Sequence, residues 1–201
     1  MGKGIETDKF LKVEVTSSME LRAWLEKKHS QAESVWLVTF KSSITDKYVS
    51  REEVLDELIA FGWIDGVRRK LDGDRTMQLI SPRKAQHWAK SYKDRAARLI
   101  EEGQMAAPGF ASIAASKASG LWTFMDDVDA LIWPNDLREA FAGKPEAEKL
   151  FAEFPPSAQR FTLRWIKLAK TEVTRKKRIA TTVERAGQGK FVPGVRMSFS
   201  N

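Results

Sequence analysis

The dipeptide Asp72-Gly73, set between the strand-like runs Trp63 to Leu71 and Asp74 to Ile80, constrains this chain more than any other feature. Asp-Gly between two such runs is the strongest short-range hairpin signal, because a type I′ turn needs positive φ at both central residues. A two-residue turn there sets the register. Leu71 faces Asp74, Arg69 faces Thr76, Val67 faces Gln78 and Asp65 faces Ile80. Trp63, Asp65, Arg69 and Gln78 then share one sheet face. Such a face is either a solvated surface carrying an Asp–Arg pair, or a partly desolvated hydrogen-bonding floor with Trp63 as its wall.

The flanking residues supply the other elements. Phe10 to Val15 alternates as a short strand. Ser17 with Glu20 and Ser50 with Glu53 have capping-box spacing, and each opens a helix. The first helix buries Leu21, Trp24 and Leu25, with the Lys28 stem able to lie along the apolar surface. Val35 to Phe40 is apolar on both faces and reads as a central strand. The second helix ends near Phe61-Gly62. Two more helices follow, Tyr92 to Glu102 and Pro108 to Ala118. Asp126, Asp127 and Asp129 mark a local acidic stretch. Beyond it Pro134, Pro145 and Pro155-Pro156 introduce a purely helical segment, whose last two helices form an αα-hairpin.

Composition removes several classes of function. The chain has 201 residues, no cysteine and only two histidines, His29 and His87. Thiolate and multi-histidine metal centres are therefore excluded, and no metal site or cofactor is expected. Twenty aromatic residues and a 42% hydrophobic fraction suit a packed core. The longest apolar run is Val35 to Phe40, far short of the ~20 residues that span a bilayer. Residues 1–10 carry no apolar secretory h-region, so a cytoplasmic location without a membrane span is expected. A net charge of +7 suits polyanionic partners, although bulk charge bears on solubility more than on partners.

Two basic clusters stand out. Arg83, Lys84, His87 and Trp88 follow the hairpin. An arginine fork with an aromatic plane suits a phosphate, a carboxylate or a stacked base; the alternative is a solvated loop whose Trp88 plugs the core. Thr174 to Arg178 (TRKKR) lies in a helix, and its charges wrap the helix rather than forming a phosphate-tracking stripe. Nucleotide-loop, Rossmann, nucleophile-elbow and zincin motifs are absent.

Phe61 to Lys70 (FGWIDGVRRK), Ser81-Pro82-Arg83, Trp88 and Arg98 to Met105 resemble the YdeI/OmpD-associated family, also labelled bacteriocin-protection proteins. Leu137 to Phe141, Arg164-Trp165-Ile166, Ala169-Lys170, Thr174-Arg175 and Arg178-Ile179 resemble the helical module that bears the family's name. The resemblance covers roughly residues 10–190. Members read Ser-x-Trp-Ser-x-x-Asn around the loop tryptophan; here Gln86, Trp88, Ala89 and Tyr92 hold those places, so two hydroxyls and an amide are gone. The resemblance implies a role in tolerance to bacteriocins or cationic antimicrobial peptides. It carries over no residue roles.

The expected fold is α+β: a small antiparallel sheet with flanking helices at 8–120, an acidic linker at 121–134, a helical module at 135–190 and a flexible tail at 191–201. The expected function is a stress-tolerance binding protein with a small-anion cleft formed by Trp63, Asp65, Arg69, Gln78, Arg83 and Trp88. An enzyme using Asp65 as acid or base and a non-specific nucleic-acid binder through the basic C-terminal helix are the alternatives. The sequence leaves open whether the chain is an enzyme, and binding is the preferred reading.

Overall fold

The computed structural model describes residues 9–194. These divide into two compact units, with the boundary between Thr123 and Phe124.

The N-terminal unit runs β1 (Lys12–Glu14), α1 (Ser18–Lys28), β2 (Val35–Phe40), α2 (Arg51–Ala60), β3 (Trp63–Lys70), β4 (Arg75–Pro82), α3 (Lys90–Glu101) and α4 (Ala107–Ala118). Its sheet has the order β1-β2-β4-β3. The class is α+β, but the sheet is mixed rather than wholly antiparallel. β1 pairs parallel with β2, Val13 opposite Leu37, while β2–β4 and β3–β4 are antiparallel. The helix α1 between β1 and β2 is the reason, since a helical crossover returns the chain to the same end of the sheet.

Local chemistry explains the helix starts. Ser50 and Glu53 form a full capping box: Glu53 N–H donates to Ser50 Oγ at 3.2 Å and Ser50 N–H to Glu53 Oε2 at 2.8 Å. Ser17 caps α1 by accepting from Glu20 N–H, but the Glu20 carboxylate reaches Thr16 N–H instead, at 2.7 Å. Leu21 and Leu25 of α1 are buried as their spacing requires, whereas Lys28 is exposed. They join Val35, Leu37, Val54, Leu58, Trp63 and Ile80 in the main core. A second cluster holds Ile59, Trp88, Ala96, Leu99 and Ile113, under α3 and α4.

Two glycines let α4 lie against the end of α2. Gly62 has φ +69°, and a Cβ there would stand 3.0 Å from both Pro108 O and Ser112 Cβ. A Cβ on Gly109 would collide with Ala60 O and Met105 Sδ. Only glycine permits both the left-handed φ and the close approach.

The second unit contains α5 (Asp126–Asp129), α6 (Asn135–Phe141), α7 (Pro145–Ala152), α8 (Pro156–Lys167) and α9 (Glu172–Gly187). Leu137, Phe141, Phe151, Leu163, Ile166, Ile179 and Val183 form its core. The stretch expected as an acidic linker contributes to that core. Met125 and Val128 are buried in it, with Leu131 and Trp133 packed alongside. Asp127 accepts from Lys167 Nζ at 2.6 and 2.7 Å, tying α5 to α8. The buried Gln159 amide donates to Ala152 O and Phe154 O, at 3.1 and 2.8 Å, and so satisfies carbonyls at the end of α7. Of the expected tail, Phe191 stacks edge-on against Phe154 with centroids 4.8 Å apart, and Val192 is buried. Residues 195–201 lie outside the described residues.

Candidate functional site

The hairpin turn decides which side chains meet. The expected two-residue type I′ turn is replaced by a three-residue loop, Asp72 to Asp74. Leu71 N–H donates to Arg75 O at 3.1 Å. The Asp72 carboxylate accepts from the N–H groups of Asp74 and Arg75, at 3.0 and 2.8 Å, and Gly73 does not take positive φ. An aspartate that closes the turn with its own side chain removes the need for the I′ geometry. Near the turn the register therefore moves by one, giving Lys70–Thr76, Arg69–Met77 and Arg68–Gln78. A bulge at Gly66-Val67 moves it back, and Asp65 pairs with Ile80 and Trp63 with Pro82. Gly66 suits the bulge, since a Cβ there would stand 3.1 Å from Leu79 O.

The consequence is an exchange of arginines. Arg69 pairs with Met77 on the face opposite Gln78, and its guanidinium lies 5.4 Å from the Trp36 ring centroid. Arg68 takes the place expected for Arg69. Its Nη2 donates to Gln78 Oε1 at 3.1 Å, and Gln78 Nε2 donates to Asp65 Oδ2 at 3.0 Å. The other Asp65 oxygen accepts from the Tyr92 hydroxyl. Both carboxylate oxygens are thus engaged by neutral donors. Burial, then the hydrogen bond to Asp65 and its charge, push the Tyr92 phenol up to about 12.

Trp63, expected as a wall, and Trp88, read either as a stacking plane or as a plug of the core, are both core residues. Trp63 is fully buried; its Nε1–H donates to His29 O at 3.1 Å and its ring meets Trp24 edge-on at 5.5 Å. Trp88 is 1% exposed and its Nε1–H donates to Ser116 Oγ at 2.7 Å. Its ring packs on Trp122 at 4.9 Å, and the Arg83 guanidinium covers it, 4.0 Å from the centroid.

Arg83 follows β4 directly. Its N–H donates to Gly62 O at 2.9 Å, which fixes its backbone against the end of α2. The guanidinium stacks on Trp88 and lies 5.5 Å from the Tyr92 centroid. Among the described residues it forms no ion pair, and its Nε is buried without a hydrogen-bond partner. Burial pulls its pKa down to about 10 against the opposing influence of Tyr92 and Asp65, so it remains a cation at neutral pH.

Arg83 and Lys84 line a cavity of about 530 Å³. Helix α4 also lines it, through Pro108, Ala111, Ser112, Ala115 and Ser119, and Phe61 and Leu121 add apolar surface. Ser116 and Ser119 already donate their hydroxyls to Ser112 O and Ser116 O, at 2.8 and 3.2 Å. His29 also borders the cavity. Its Nδ1 lies 3.1 Å from Leu25 O, and a carbonyl only accepts, so the neutral ring carries its proton on Nδ1. Of the six expected ligand residues, Arg83 lines this cavity. Trp63, Asp65, Arg69, Gln78 and Trp88 do not. The α4 wall had no sequence signal beyond its run of small residues.

The helical module holds a cavity of about 540 Å³ between α6 and α9. Its arginine, Arg175, is closed by Asp136 in a two-point pair, Nε to Oδ2 at 2.6 Å and Nη2 to Oδ1 at 2.9 Å. Elsewhere in the basic run, Lys176 pairs with Glu172 at 2.8 Å, and Arg178 donates to Trp165 O and lies over that ring at 5.1 Å. Three of the four cations that the nucleic-acid alternative would use thus have partners within the unit. Among the described residues no cluster of three or more acidic or histidine side chains is placed to hold a metal, and no helix is long and apolar enough to cross a membrane.

The family model described as Bacteriocin-protection, YdeI or OmpD-Associated matches residues 130–189, the helical unit. This supports the family membership suspected from the sequence. Residues 13–112 match a separate model, a domain of unknown function (DUF8412), which takes in the FGWID hairpin and the Arg83–Trp88 loop. No curated protein and no solved structure matches the chain.

Proposed function

We propose that the chain is a tolerance-associated binding protein of the YdeI/OmpD-associated type, and that its N-terminal unit holds a small anionic ligand in the cavity beside Arg83. One observation carries this reading. The Arg83 guanidinium is partly buried and stacked on Trp88, its Nε has no hydrogen-bond partner, and it forms no ion pair among the described residues, the Asp65 charge acting on it only from beyond pairing distance. A buried cation without a counter-ion is costly, and such groups elsewhere are paired or shift their pKa. A ligand anion arriving in the adjoining cavity removes that cost. The stack on Trp88 fixes the plane of the fork before the ligand arrives, which limits the entropy lost on binding. Lys84 adds a second, exposed charge at the same border.

The test is a thermal-shift titration of the full chain with sodium acetate and sodium phosphate, at constant ionic strength, against Arg83→Met. The methionine keeps an unbranched stem over Trp88 and removes the charge. A concentration-dependent stabilisation seen in the native chain and absent in Arg83→Met is expected. Equal shifts in both proteins, or no shift in either, overturns the reading.

A further inference from the structure

The cavity is larger than a small oxyanion, and its walls are unlike those of a phosphate site. We infer that its ligand is an amphipathic organic monocarboxylate, whose carboxylate meets Arg83 and whose apolar body lies along α4. This rests on the anion-binding reading above and narrows it.

Three features favour this class. The first is size. About 530 Å³ lies within the ~300–1,000 Å³ range of pockets that enclose organic ligands of drug size. A bare oxyanion would leave most of it to water held against carbon. The second is the wall. Ala111 and Ala115, on successive turns of α4, face the cavity together with Pro108, Phe61 and Leu121. The small side chains of α4 give the cavity an apolar bed, and Phe61 and Leu121 add to it.

The third is the donor count. A phosphate dianion presents three strong acceptor oxygens and seeks several donors. Here Pro108 has no N–H, and the Ser116 and Ser119 hydroxyls have already given their protons to backbone carbonyls. The remaining side-chain donors on the cavity wall among the described residues are Arg83, Lys84 and the Ser112 hydroxyl. The Asp65 charge lies near enough to Arg83 to hold its proton more firmly. That negative charge offsets part of the local positive potential and repels a dianion about twice as strongly as a monoanion in the same place. Two oxygens on a planar carboxylate match the fork of one arginine.

Protein-observed NMR titration of the full chain with sodium acetate, sodium 3-phenylpropionate and sodium phosphate decides the point. Phenylpropionate should bind roughly tenfold or more tightly than acetate, because the ring and its linker are taken out of water. Phosphate should bind no more tightly than acetate. Ala115→Leu fills the bed, and should abolish the gain from the phenyl group while leaving acetate binding in place. Arg83→Met should weaken both carboxylates. Equal affinity for the two carboxylates, or phosphate as the tightest probe, overturns the carboxylate assignment while leaving Arg83 an anion anchor. A gain from the phenyl group that survives Ala115→Leu overturns the placement along α4. Failure of all three probes to bind overturns both this assignment and the anion-binding reading beneath it.

Discussion

Two cavities of nearly equal volume, about 530 Å³ in the N-terminal unit and about 540 Å³ in the helical module, each have an arginine in the wall. Arg175 is met by both oxygens of Asp136, and the Asp136 carboxyl is held below its usual range by that bond. Arg83 has an aromatic face beneath it and no carboxylate partner among the described residues. The same side chain is therefore a structural tie in one unit and an open anchor in the other. Volume does not separate the two sites; the presence of a counter-ion does.

The largest test of this contrast removes the aromatic support. Trp88→Ala takes away a fully buried ring, its hydrogen bond to Ser116 and the platform for Arg83. It should cost about 3–5 kcal/mol in denaturant unfolding. Unchanged stability would show that Trp88 does not hold this side of the unit together.

Tyr92→Phe is a smaller change. It removes one of the two donors to Asp65 and should cost about 1–2 kcal/mol. The pH dependence has a definite sign. The Tyr92 pKa is about 12 in the folded chain, against about 10 unfolded. Its contribution is therefore complete below pH 10 and is lost as pH rises through 12. The phenolate absorbance should show one of the two tyrosines ionising only near pH 12, and Asp65→Asn should bring that transition down. A single transition near pH 10 for both tyrosines would remove Tyr92 from the network.

Arg175→Met breaks the paired site. It should destabilise the helical module by about 1 kcal/mol, because both partners are partly solvated. The effect should disappear in acid. The folded Asp136 pKa is depressed, so the pair stabilises above the unfolded carboxyl pKa of about 3.9 and is lost as pH falls through the folded value. A penalty that persists below that range would mean that packing of the arginine stem, not charge, is the cause.

Arg83→Met should have the smallest effect on stability: a change within about 0.5 kcal/mol, or a gain, because the charge it removes has no partner. Loss of more than 1 kcal/mol would show that Arg83, like Arg175, is a structural tie, and the contrast between the two cavities would collapse.

Much of the fold is legible along the chain because its causes are local. Ser50 and Glu53 fix the start of α2 within one helical turn. A short run apolar on both faces marks β2, and the two strand-like runs flanking Asp72-Gly73 mark β3 and β4. The hairpin was legible but its register was not. Asp72 can serve as an I′ residue or as a side-chain turn cap, and its bonds to Asp74, Arg75 and the Arg75 guanidinium decide for the cap. That choice places Arg68 beside Gln78 and sends Arg69 to Trp36. The bulge at Gly66 then returns Asp65 to its expected partner, Ile80.

The sequence by itself determined the α+β class, the absence of thiol and multi-histidine metal chemistry, the hairpin and the resemblance of the helical module to a known family. Each follows from composition or from patterns spanning a few residues. Only the tertiary structure decided that Trp63 and Trp88 are core, that Tyr92 closes Asp65, and that Arg83 stands open beside α4 while Arg175 is paired. Those outcomes depend on burial and on partners tens of residues away, brought close by the packing of α3 and α4 in one unit and of α6 and α9 in the other. Whether a charge finds a counter-ion is a property of its three-dimensional neighbours, and short-range pattern carries no record of it.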